Sequence, residues 1–403
     1  MKVTFYPSHA NGSVKAPPSK SMAHRLLIAA GLAEGKSIIH NIAPSEDVLA
    51  TIDCLQALGA DCQLEKDSVT VFGIGGKLQR ENPLLPCREC GSTLRFFIPI
   101  ALLSPYKTTL CGSERLFQRP LSVYETICRE QSLLFLQSEN TLTVQGRLSP
   151  ANYTLAGNIS SQFVSGLLFA LPLLAKDSTV SLTPPIESRS YIDLTIKALA
   201  DFGVFVKWQD ENTLVIPGRQ SYTAKEITVE GDYSNAAFFS ALASLGENVN
   251  VTGLSNSSLQ GDRIYLDYFE KLKNSAPTLS LANCPDLGPI LFALAGVQNG
   301  AYFINTARLR IKESDRAACM TKELQKFGIR CDIGENDVTI HPAKFAPPNE
   351  PLFGHNDHRI VMALSVLLSL TGGQIDGAEA VAKSMPDFFE RLTALGIQME
   401  ITN

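Results

Sequence analysis

Basic side chains gather at the start of an otherwise apolar segment, residues 20–35, which reads KSMAHRLLIAAGLAEG. Lys20 and His24 are four residues apart, as are Ser21 and Arg25, so a helix would place each pair on one face. The first N–H groups of a helix lack internal partners and carry partial positive charge. With two cations and a hydroxyl, such a helix start would suit a phosphate or a carboxylate. The alternative is an ordinary helix cap followed by solvated basic residues.

Two more polar starts precede apolar segments in the first half of the chain. RECGSTLRFFIPIALL carries Gly91 and Arg95, and GNISSQFVSGLLFALPLLA carries Ser160, Ser161 and Gln162. The glycine would let an anion approach the backbone N–H groups, although the P-loop lysine is missing. One such start is usually only a cap, whereas three on apolar helices favour a binding role.

The second half of the chain repeats the pattern with more charge. Its candidate residues all lie at expected helix starts and are Asp286, Lys312, Glu313, Arg316, His358, Arg359 and Lys383. If both halves face one cleft, these groups would suit a small polyanion, or two of them. The neighbouring cations would keep the minority carboxylates, Asp286 and Glu313, ionised at neutral pH and able to take protons.

Metal and redox chemistry are not indicated by the sequence. The nine cysteines are scattered, and the one CxxC motif, Cys87–Cys90, has no second pair or histidines at ligand spacing. His355 and His358 have no evident third ligand. We therefore predict reduced, mostly buried cysteines and no metal site.

Composition limits the class of protein. The chain has 403 residues, 45% hydrophobic and 19% charged, with a formal net charge of −5. Nucleic-acid binding would need a basic surface. The longest apolar stretch, residues 164–175, contains Gly166 and Pro172 and is too short to span a bilayer. We expect a folded cytoplasmic protein that binds neither membrane nor nucleic acid.

A repeated pattern of a helix end, a glycine and an alternating strand predicts an α/β repeat fold. The glycines suit the left-handed position after a helix; they are Gly59, Gly203, Gly328 and Gly396. Degenerate copies without the glycine fall at 124–137 and 268–281. This gives six units of about 67 residues, which favours three in each of two domains.

Two places in the chain could join the domains. Residues 11–18 contain Gly12, Pro17 and Pro18, and residues 225–234 separate the third repeat from a new helix. The opening strand, residues 2–7, would then belong with the C-terminal half. We predict a discontinuous domain, 1–12 plus 227–403, which would carry the candidate carboxylates Asp286 and Glu313, and a continuous domain, 13–226.

The ordered set of motifs resembles the 5-enolpyruvylshikimate-3-phosphate synthase family over the whole chain. The matching segments are PSKSMAHRLLIAAGLAEG, CGSTLR, SSQFVSGLLFALPLL, KESDR, NDHRIVMA and KSMPDFFERL. The resemblance implies a two-domain α/β fold of six βαβαββ units, three per domain, that closes over its ligands. It also implies transfer of the enolpyruvyl group of phosphoenolpyruvate to the 5-hydroxyl of shikimate 3-phosphate, through a tetrahedral intermediate, with phosphate release. No cofactor or metal is implied, and we expect a monomer.

The resemblance also implies roles for individual residues. Asp286 would be the hydroxyl base and Glu313 the proton donor, while His358 would assist or orient its neighbours. Lys20 would touch both ligands. The shikimate 3-phosphate site would comprise Ser21, Arg25, Ser160, Ser161, Gln162, Ser188, Tyr191 and Lys312. The phosphoenolpyruvate site would comprise Gly91, Arg119, Arg316, Arg359 and Lys383, supported by Arg95.

The sequence departs from the family pattern at three positions. ECGST replaces GNAGT, so Glu89 receives no ligand role; Arg308 replaces an asparagine before the KE pair; and Phe96 replaces a proline. None of these changes removes an essential charge. The contact to the shikimate moiety that the asparagine would make is lost at Arg308 or replaced by a cation.

Two other functions fit the same scaffold. The sister enzyme that acts on UDP-N-acetylglucosamine usually carries GKN near its start and a reactive loop cysteine, whereas this chain has PSKS and only Cys111 as a candidate. A non-catalytic anion-binding module would lack the acid–base pair. Both Asp286 and Glu313 are present, which favours the transferase.

Overall fold

The computed structural model describes residues 1–402 and divides the chain into two units with separate hydrophobic cores. Unit 1 comprises Met1–Ser19 and the chain from Gly231 onward, and unit 2 comprises Lys20–Glu230. Among the described residues, no helix has both the length and the apolar character needed to cross a bilayer.

Unit 1 begins with two strands and resumes after unit 2 with six helices and eight strands, counted over residues 1–402. The opening strands are β1 (Lys2–Tyr6) and β2 (Asn11–Lys15). Unit 2 then follows in chain order with α1 (Lys20–Leu32), β3 (Glu34–His40), α2 (Glu46–Leu58), β4 (Asp61–Leu64), β5 (Ser68–Ile74), β6 (Leu84–Arg88), α3 (Gly91–Ala101), β7 (Thr108–Gly112), α4 (Glu114–Phe117), α5 (Ser122–Glu130), β8 (Leu134–Gln137), β9 (Thr141–Gln145), β10 (Asn152–Ala156), α6 (Ser161–Ala170), β11 (Ser178–Thr183), α7 (Arg189–Asp201), β12 (Lys207–Trp208), β13 (Thr213–Ile216) and β14 (Glu226–Thr228).

The remainder of unit 1 carries the charged helix starts of the second half. Its elements are α8 (Tyr233–Ser244), β15 (Asn248–Thr252), α9 (Tyr265–Asn274), β16 (Thr278–Ser280), α10 (Gly288–Val297), β17 (Ala301–Ile304), α11 (Arg316–Gln325), β18 (Cys331–Ile333), β19 (Asp337–Ile340), β20 (Leu352–Phe353), α12 (His358–Thr371), β21 (Gly373–Asp376), α13 (Phe388–Ala394) and β22 (Gln398–Thr402). Short 3-10 helices at Pro285–Leu287, Ala307–Ile311 and Ala378–Lys383 carry or precede several candidate residues.

Six sheets, three in each unit, confirm the predicted α/β repeat. Five have the same layout, a parallel outer pair continued by two antiparallel strands; their orders are β14-β3-β5-β4, β6-β7-β9-β8, β10-β11-β13-β12, β16-β17-β19-β18 and β20-β21-β1-β22. The sixth is only the parallel pair β2–β15. The degenerate copy expected at 268–281 differs for this reason: after α9, its strand β16 starts the next sheet instead of forming a hairpin.

The predicted helix-ending glycines all have left-handed backbones, with φ of 113° at Gly59, 79° at Gly203, 77° at Gly328 and 94° at Gly396. In the degenerate copy after α5, Ser132 takes the same conformation, with φ of 56°. The repeat geometry is therefore kept at this position without the glycine.

Both domain boundaries lie later than the sequence predicts. β2 pairs in parallel with β15, from Asn11 opposite Asn248 to Lys15 opposite Thr252, so residues 13–19 stay with unit 1. β14 pairs in parallel with β3 of unit 2, which moves the second boundary to residue 230. As predicted, the opening strand belongs with the C-terminal half, because β1 pairs with β21 and β22.

Each core is built around apolar helices that are buried on nearly every side. In unit 2 these helices are α1, α3 and α6, with α3 packed on α6; in unit 1 they are α8, α10 and α12, with α12 packed on both others. A helix that is apolar all round must lie inside the protein. Polar residues are therefore left to its ends, which is where the candidate residues stand.

Candidate functional site

The first turn of α1 holds its cations through specific contacts. Lys20, the first residue of the helix, forms an ion pair with Asp47 of α2, with 2.7 Å between Nζ and Oδ2. Arg25 is 3% exposed, and it donates to the Ser21 carbonyl, to Thr195 Oγ1 and to the Tyr191 carbonyl at 2.6, 2.8 and 2.9 Å. These contacts fix the guanidinium against α7 and hold Arg25 beside Ser21 and Tyr191.

The start of α3 meets the start of α6 through a side-chain network. Arg95 donates to Gln162 Oε1 at 2.6 Å and to the Pro120 carbonyl at 3.1 Å, and Gln162 donates to Ser92 Oγ at 2.9 Å. The Arg95 guanidinium also lies over the Phe163 ring, 5.1 Å from its centroid. Because Arg95 is buried and held on several sides, its geometry suits the supporting role that the resemblance implies for it.

Gly91, the first residue of α3, lies directly against Arg119. A Cβ built at Gly91 would come within 2.3 Å of Arg119 Nη1. The glycine therefore leaves the space that the guanidinium occupies beside the helix start. The sequence predicted both residues as ligands of one anion, and the structure places them next to each other.

The starts of α6 and α7 complete the unit 2 set. Ser160 caps α6 by accepting from the Gln162 backbone N–H at 3.3 Å, and Ser161 is the first helical residue. Ser188 precedes α7 with a left-handed φ of 55° and is 1% exposed. Such strain in a non-glycine residue collects at functional sites.

In unit 1, the Asp286 carboxylate lies among three cations. Lys312 Nζ and Arg316 Nη1 are 3.1 and 2.7 Å from its Oδ1, and Arg359 Nη2 is 3.2 Å from its Oδ2. Glu313 Oε2 accepts from Arg316 Nη2 at 2.6 Å. Five of the seven residues predicted in this half therefore form one cluster.

Asp357 is a member of this cluster that the sequence analysis missed. It is fully buried, accepts from Arg316 Nε at 2.8 Å and from Ser314 Oγ at 3.0 Å, and caps α12 by accepting from the Arg359 N–H at 3.0 Å. An aspartate directly before an apolar helix is a cap signal that could have found it. Its second role, fixing Arg316, depends on packing between α11 and the start of α12.

Asp357 also changes the expected charge balance. The cluster contains three carboxylates, those of Asp286, Glu313 and Asp357, and they contact three cations. Carboxylates and cations are therefore equal in number among these six side chains. Lys20 is similarly paired with a carboxylate, that of Asp47.

The electrostatic environment sets the protonation of two of these groups. Burial opposes ionisation of Asp286, but Arg359, Lys312 and Arg316 outweigh it and hold the pKa of this carboxyl well below its usual range. The predicted ionised state of Asp286 is thus supported. Burial, together with the charges of Arg316 and Arg308, lowers the pKa of Lys312 to about 8. Asp286 acts in the opposite direction but does not offset this, because its carboxylate is shared with two other cations.

His358 and Lys383 lie beside this cluster. His358 is the first residue of α12 and is 1% exposed. Lys383 Nζ donates to the Asn356 carbonyl at 2.6 Å, so it contacts the loop that leads into α12. Arg308, the departure from the family pattern, donates to the Ala282 carbonyl at 3.3 Å.

Comparison with known proteins agrees with this arrangement. The family model described as EPSP synthase (3-phosphoshikimate 1-carboxyvinyltransferase) matches residues 6–392. A protein of that name from Clostridium kluyveri is 39% identical, with 99% of this chain and 98% of the relative covered. One from Clostridioides difficile is 36% identical, with 99% and 98% covered.

Solved structures show the same fold. EPSP synthase from Acinetobacter baumannii superposes with a TM-score of 0.80 at 23% identity, and all of both chains is covered. The enolpyruvyl transferase NikO from Streptomyces tendae gives 0.79 at 16% identity, with 100% and 98% covered. With a family match over nearly its whole length, full-length relatives well above 30% identity and the six-sheet architecture, the chain belongs to the EPSP synthase (3-phosphoshikimate 1-carboxyvinyltransferase) family.

Proposed function

We propose that this chain transfers the enolpyruvyl group of phosphoenolpyruvate to the 5-hydroxyl of shikimate 3-phosphate and releases inorganic phosphate, as a step in aromatic amino acid biosynthesis. It would act in the cytoplasm, as a monomer, on these two small molecules and without a cofactor. The observation that carries the proposal is the Asp286 carboxylate held within 3.2 Å by Lys312, Arg316 and Arg359. The same three cations could bind anionic substrates beside a group able to take a proton.

The substrates together bring two phosphates and two carboxylates. Buried guanidinium and ammonium groups bind such anions through short, charge-assisted hydrogen bonds. In the proposal, Lys20 touches both ligands. Shikimate 3-phosphate is bound by Ser21, Arg25, Ser160, Ser161, Gln162, Ser188, Tyr191 and Lys312. Phosphoenolpyruvate is bound by Gly91, Arg119, Arg316, Arg359 and Lys383, with Arg95 in support and His358 orienting its neighbours.

The proposed reaction has two balanced steps. In the addition, Asp286 takes the proton of the 5-hydroxyl and the oxygen bonds to the substituted carbon of the enol. Glu313, which must be protonated in the substrate complex for this step, gives its proton to the methylene carbon. In the elimination, the bond to phosphate breaks and phosphate leaves with its electron pair, taking up the proton held by Asp286, while the methyl group of the intermediate returns its proton to Glu313. Cations fixed beside the departing phosphate would stabilise the charge that develops on it.

The ion pairs of Asp286 bear directly on its role as a base. A carboxylate bound by three cations is a weak proton acceptor, because protonation would cost those contacts. Substrate phosphates and carboxylates would compete for Lys312, Arg316 and Arg359. We therefore propose that substrate binding itself makes Asp286 more basic, so that it accepts the proton only when both substrates are present.

A phosphate-release assay with both substrates tests the function. We expect turnover by the wild type and a loss of about 10²–10⁴-fold in kcat for Asp286→Asn, with shikimate 3-phosphate still bound in calorimetry. The matched control is Asp332→Asn, since Asp332 is an exposed aspartate paired with Arg330 and should leave kcat unchanged. Equal turnover by the wild type and Asp286→Asn would remove the assigned base.

The same assay separates the two other candidate functions. Release of phosphate from phosphoenolpyruvate with UDP-N-acetylglucosamine, and none with shikimate 3-phosphate, would favour the sister transferase. Tight binding of both substrates with no phosphate release would favour a non-catalytic module.

A further inference from the structure

A histidine, an aspartate and a cysteine come together beside Lys20 in unit 2. One ligand atom from each of His24, Asp47 and Cys90 lies within 4.8 Å of the others. His24 is 1%, Cys90 2% and Asp47 8% exposed. The residues come from α1, α2 and the turn before α3, so their spacing in the sequence does not reveal the cluster.

The contacts of His24 leave one ring nitrogen directed at the cluster. Its Nδ1 is 2.7 Å from Thr51 Oγ1, which is itself 2.8 Å from Thr93 Oγ1. Its Nε2 is 3.8 Å from Cys90 Sγ. A histidine that binds a metal through one nitrogen usually forms a hydrogen bond with the other, and Thr51 provides that partner.

We propose that His24, Asp47 and Cys90 form an inhibitory binding site for a thiophilic divalent cation such as Zn²⁺. Imidazole nitrogen, thiolate and carboxylate are the donors that Zn²⁺ prefers, and three protein ligands leave a fourth position for water. Binding converts the Cys90 thiol to a metal-bound thiolate and releases its proton to solvent. The ligand atoms must close by about 1 Å to reach tetrahedral Zn²⁺ distances.

Occupation of this site would act on Lys20. Asp47 Oδ2 is 2.7 Å from Lys20 Nζ, and a metal bound to Asp47 would take this carboxylate and repel the ammonium group. The inhibition rests on the proposed role of Lys20 in binding the substrates. Metal binding itself does not depend on that role.

Titration of the substrate-free, full-length protein with Co²⁺ tests the site, because a cobalt–thiolate bond gives a charge-transfer band in the near ultraviolet. We expect one equivalent bound with this band. Cys90→Ser should lose the band and bind at least ten-fold more weakly, while the serine can still cap α3. Cys111→Ser, which changes a partly exposed cysteine outside the cluster, is the matched control and should behave as the wild type.

Lys20→Met should change the Co²⁺ affinity in the opposite direction to Cys90→Ser. Removing the ammonium frees Asp47, so Co²⁺ should bind this variant several-fold more tightly than the wild type. The proposed site is overturned if Cys90→Ser binds Co²⁺ as tightly as the wild type, if no thiolate band appears, or if Lys20→Met weakens binding.

A turnover assay then tests the proposed inhibition separately from metal binding. Zn²⁺ should inhibit phosphate release by the wild type, a chelator should restore it, and Cys90→Ser should be active and resistant. Equal inhibition of Cys90→Ser and the wild type would refute inhibition through this site. If no variant turns over shikimate 3-phosphate, the proposed function fails, whereas the Co²⁺ titration still decides the metal site.

Discussion

At the scale of single residues, the buried cluster in unit 1 is governed by sharing of charge. One carboxylate, Asp286, serves three cations, and of these Arg316 also contacts Glu313 and Asp357, whereas Lys312 and Arg359 share Asp286. Lys312 is the cation among them that can lose its proton in an accessible pH range. Its pKa of about 8 therefore gives this site a pH dependence that arginine alone would not show.

The KM for shikimate 3-phosphate should consequently rise as the pH passes through about 8. Below this pH Lys312 is charged and can bind an anion; above it the neutral amine cannot. Lys312→Arg should keep the charge, so its KM should vary little between pH 7 and pH 9. Steady-state kinetics across this range measure the effect, with Lys271→Arg, a change at an exposed lysine of α9 paired with Asp267, as the control.

An identical rise in KM for Lys312→Arg and the wild type would contradict the assignment. The rise would then belong to another group.

Candidate site residues could be predicted from the sequence where their positions follow from local rules of helix structure. Polar starts on apolar helices pointed to Lys20, Gly91 and Ser160 because a buried helix can place charged groups only at its ends. The counter-ions Asp47 and Asp357 were not found, since they depend on which helix ends pack together. Local rules therefore gave the cations but not the charge balance.

At the scale of elements, the loop before α12 positions much of the unit 1 cluster. His355 and Asn356 both have left-handed backbones, with φ of 50° and 51°. Asp357 follows them and holds Arg316. The fully buried Glu323 of α11 fastens this loop, accepting from His355 Nε2 at 2.7 Å and from the Phe353 N–H at 3.0 Å. Two strained residues thus stay in place because an ion pair ties them to a helix.

The His355–Glu323 pair should contribute stability that disappears at high pH. Cys319 and Glu323 raise the pKa of His355 to about 9, so the folded state holds a proton that the unfolded chain releases near pH 6.5. The contribution is complete below pH 6.5 and is lost as the pH rises through 9. His355→Gln should lower the free energy of unfolding by about 2 kcal/mol at pH 6.5 and by much less at pH 10.

Urea denaturation at the two pH values measures this difference. His341→Gln is a matched control, because His341 also pairs with a carboxylate, that of Asp332 at 2.6 Å, but on the surface, where such pairs contribute about 0–1 kcal/mol. A loss for His355→Gln that is equal at both pH values would show that the histidine fills space and that its charge is unimportant.

The repeat was readable at this scale because a helix end needs a left-handed residue, and glycine supplies it most easily. Where Ser132 replaces the glycine, the sequence signal weakens although the turn is kept. The reduced sixth sheet could not be anticipated. The helix and strand at 265–280 look like a repeat, and only strand pairing shows that β16 belongs to the next sheet.

At the scale of the whole molecule, each unit has its own core and its own closed set of sheets. Unit 2 is one continuous segment, and its last strand, β14, returns to pair with β3 near its beginning. The sequence placed the boundaries at prolines and glycines, which mark turns. The structure places them by strand pairing, which is non-local and leaves no comparable signal.

A fragment of residues 20–230 should therefore fold alone, with a single cooperative thermal transition, because its core and all three of its sheets are complete. It should bind shikimate 3-phosphate more weakly than the full chain, since Lys312 is absent, and it should show no turnover. A fragment of residues 13–226 is the matched comparison. It carries only the last three residues of β2, without the partner strand β15, and cuts through β14, which exposes unpaired strand edges that favour aggregation. Calorimetry and size-exclusion chromatography distinguish the two fragments, and equal stability and solubility would mean that these strand pairings do not define the unit.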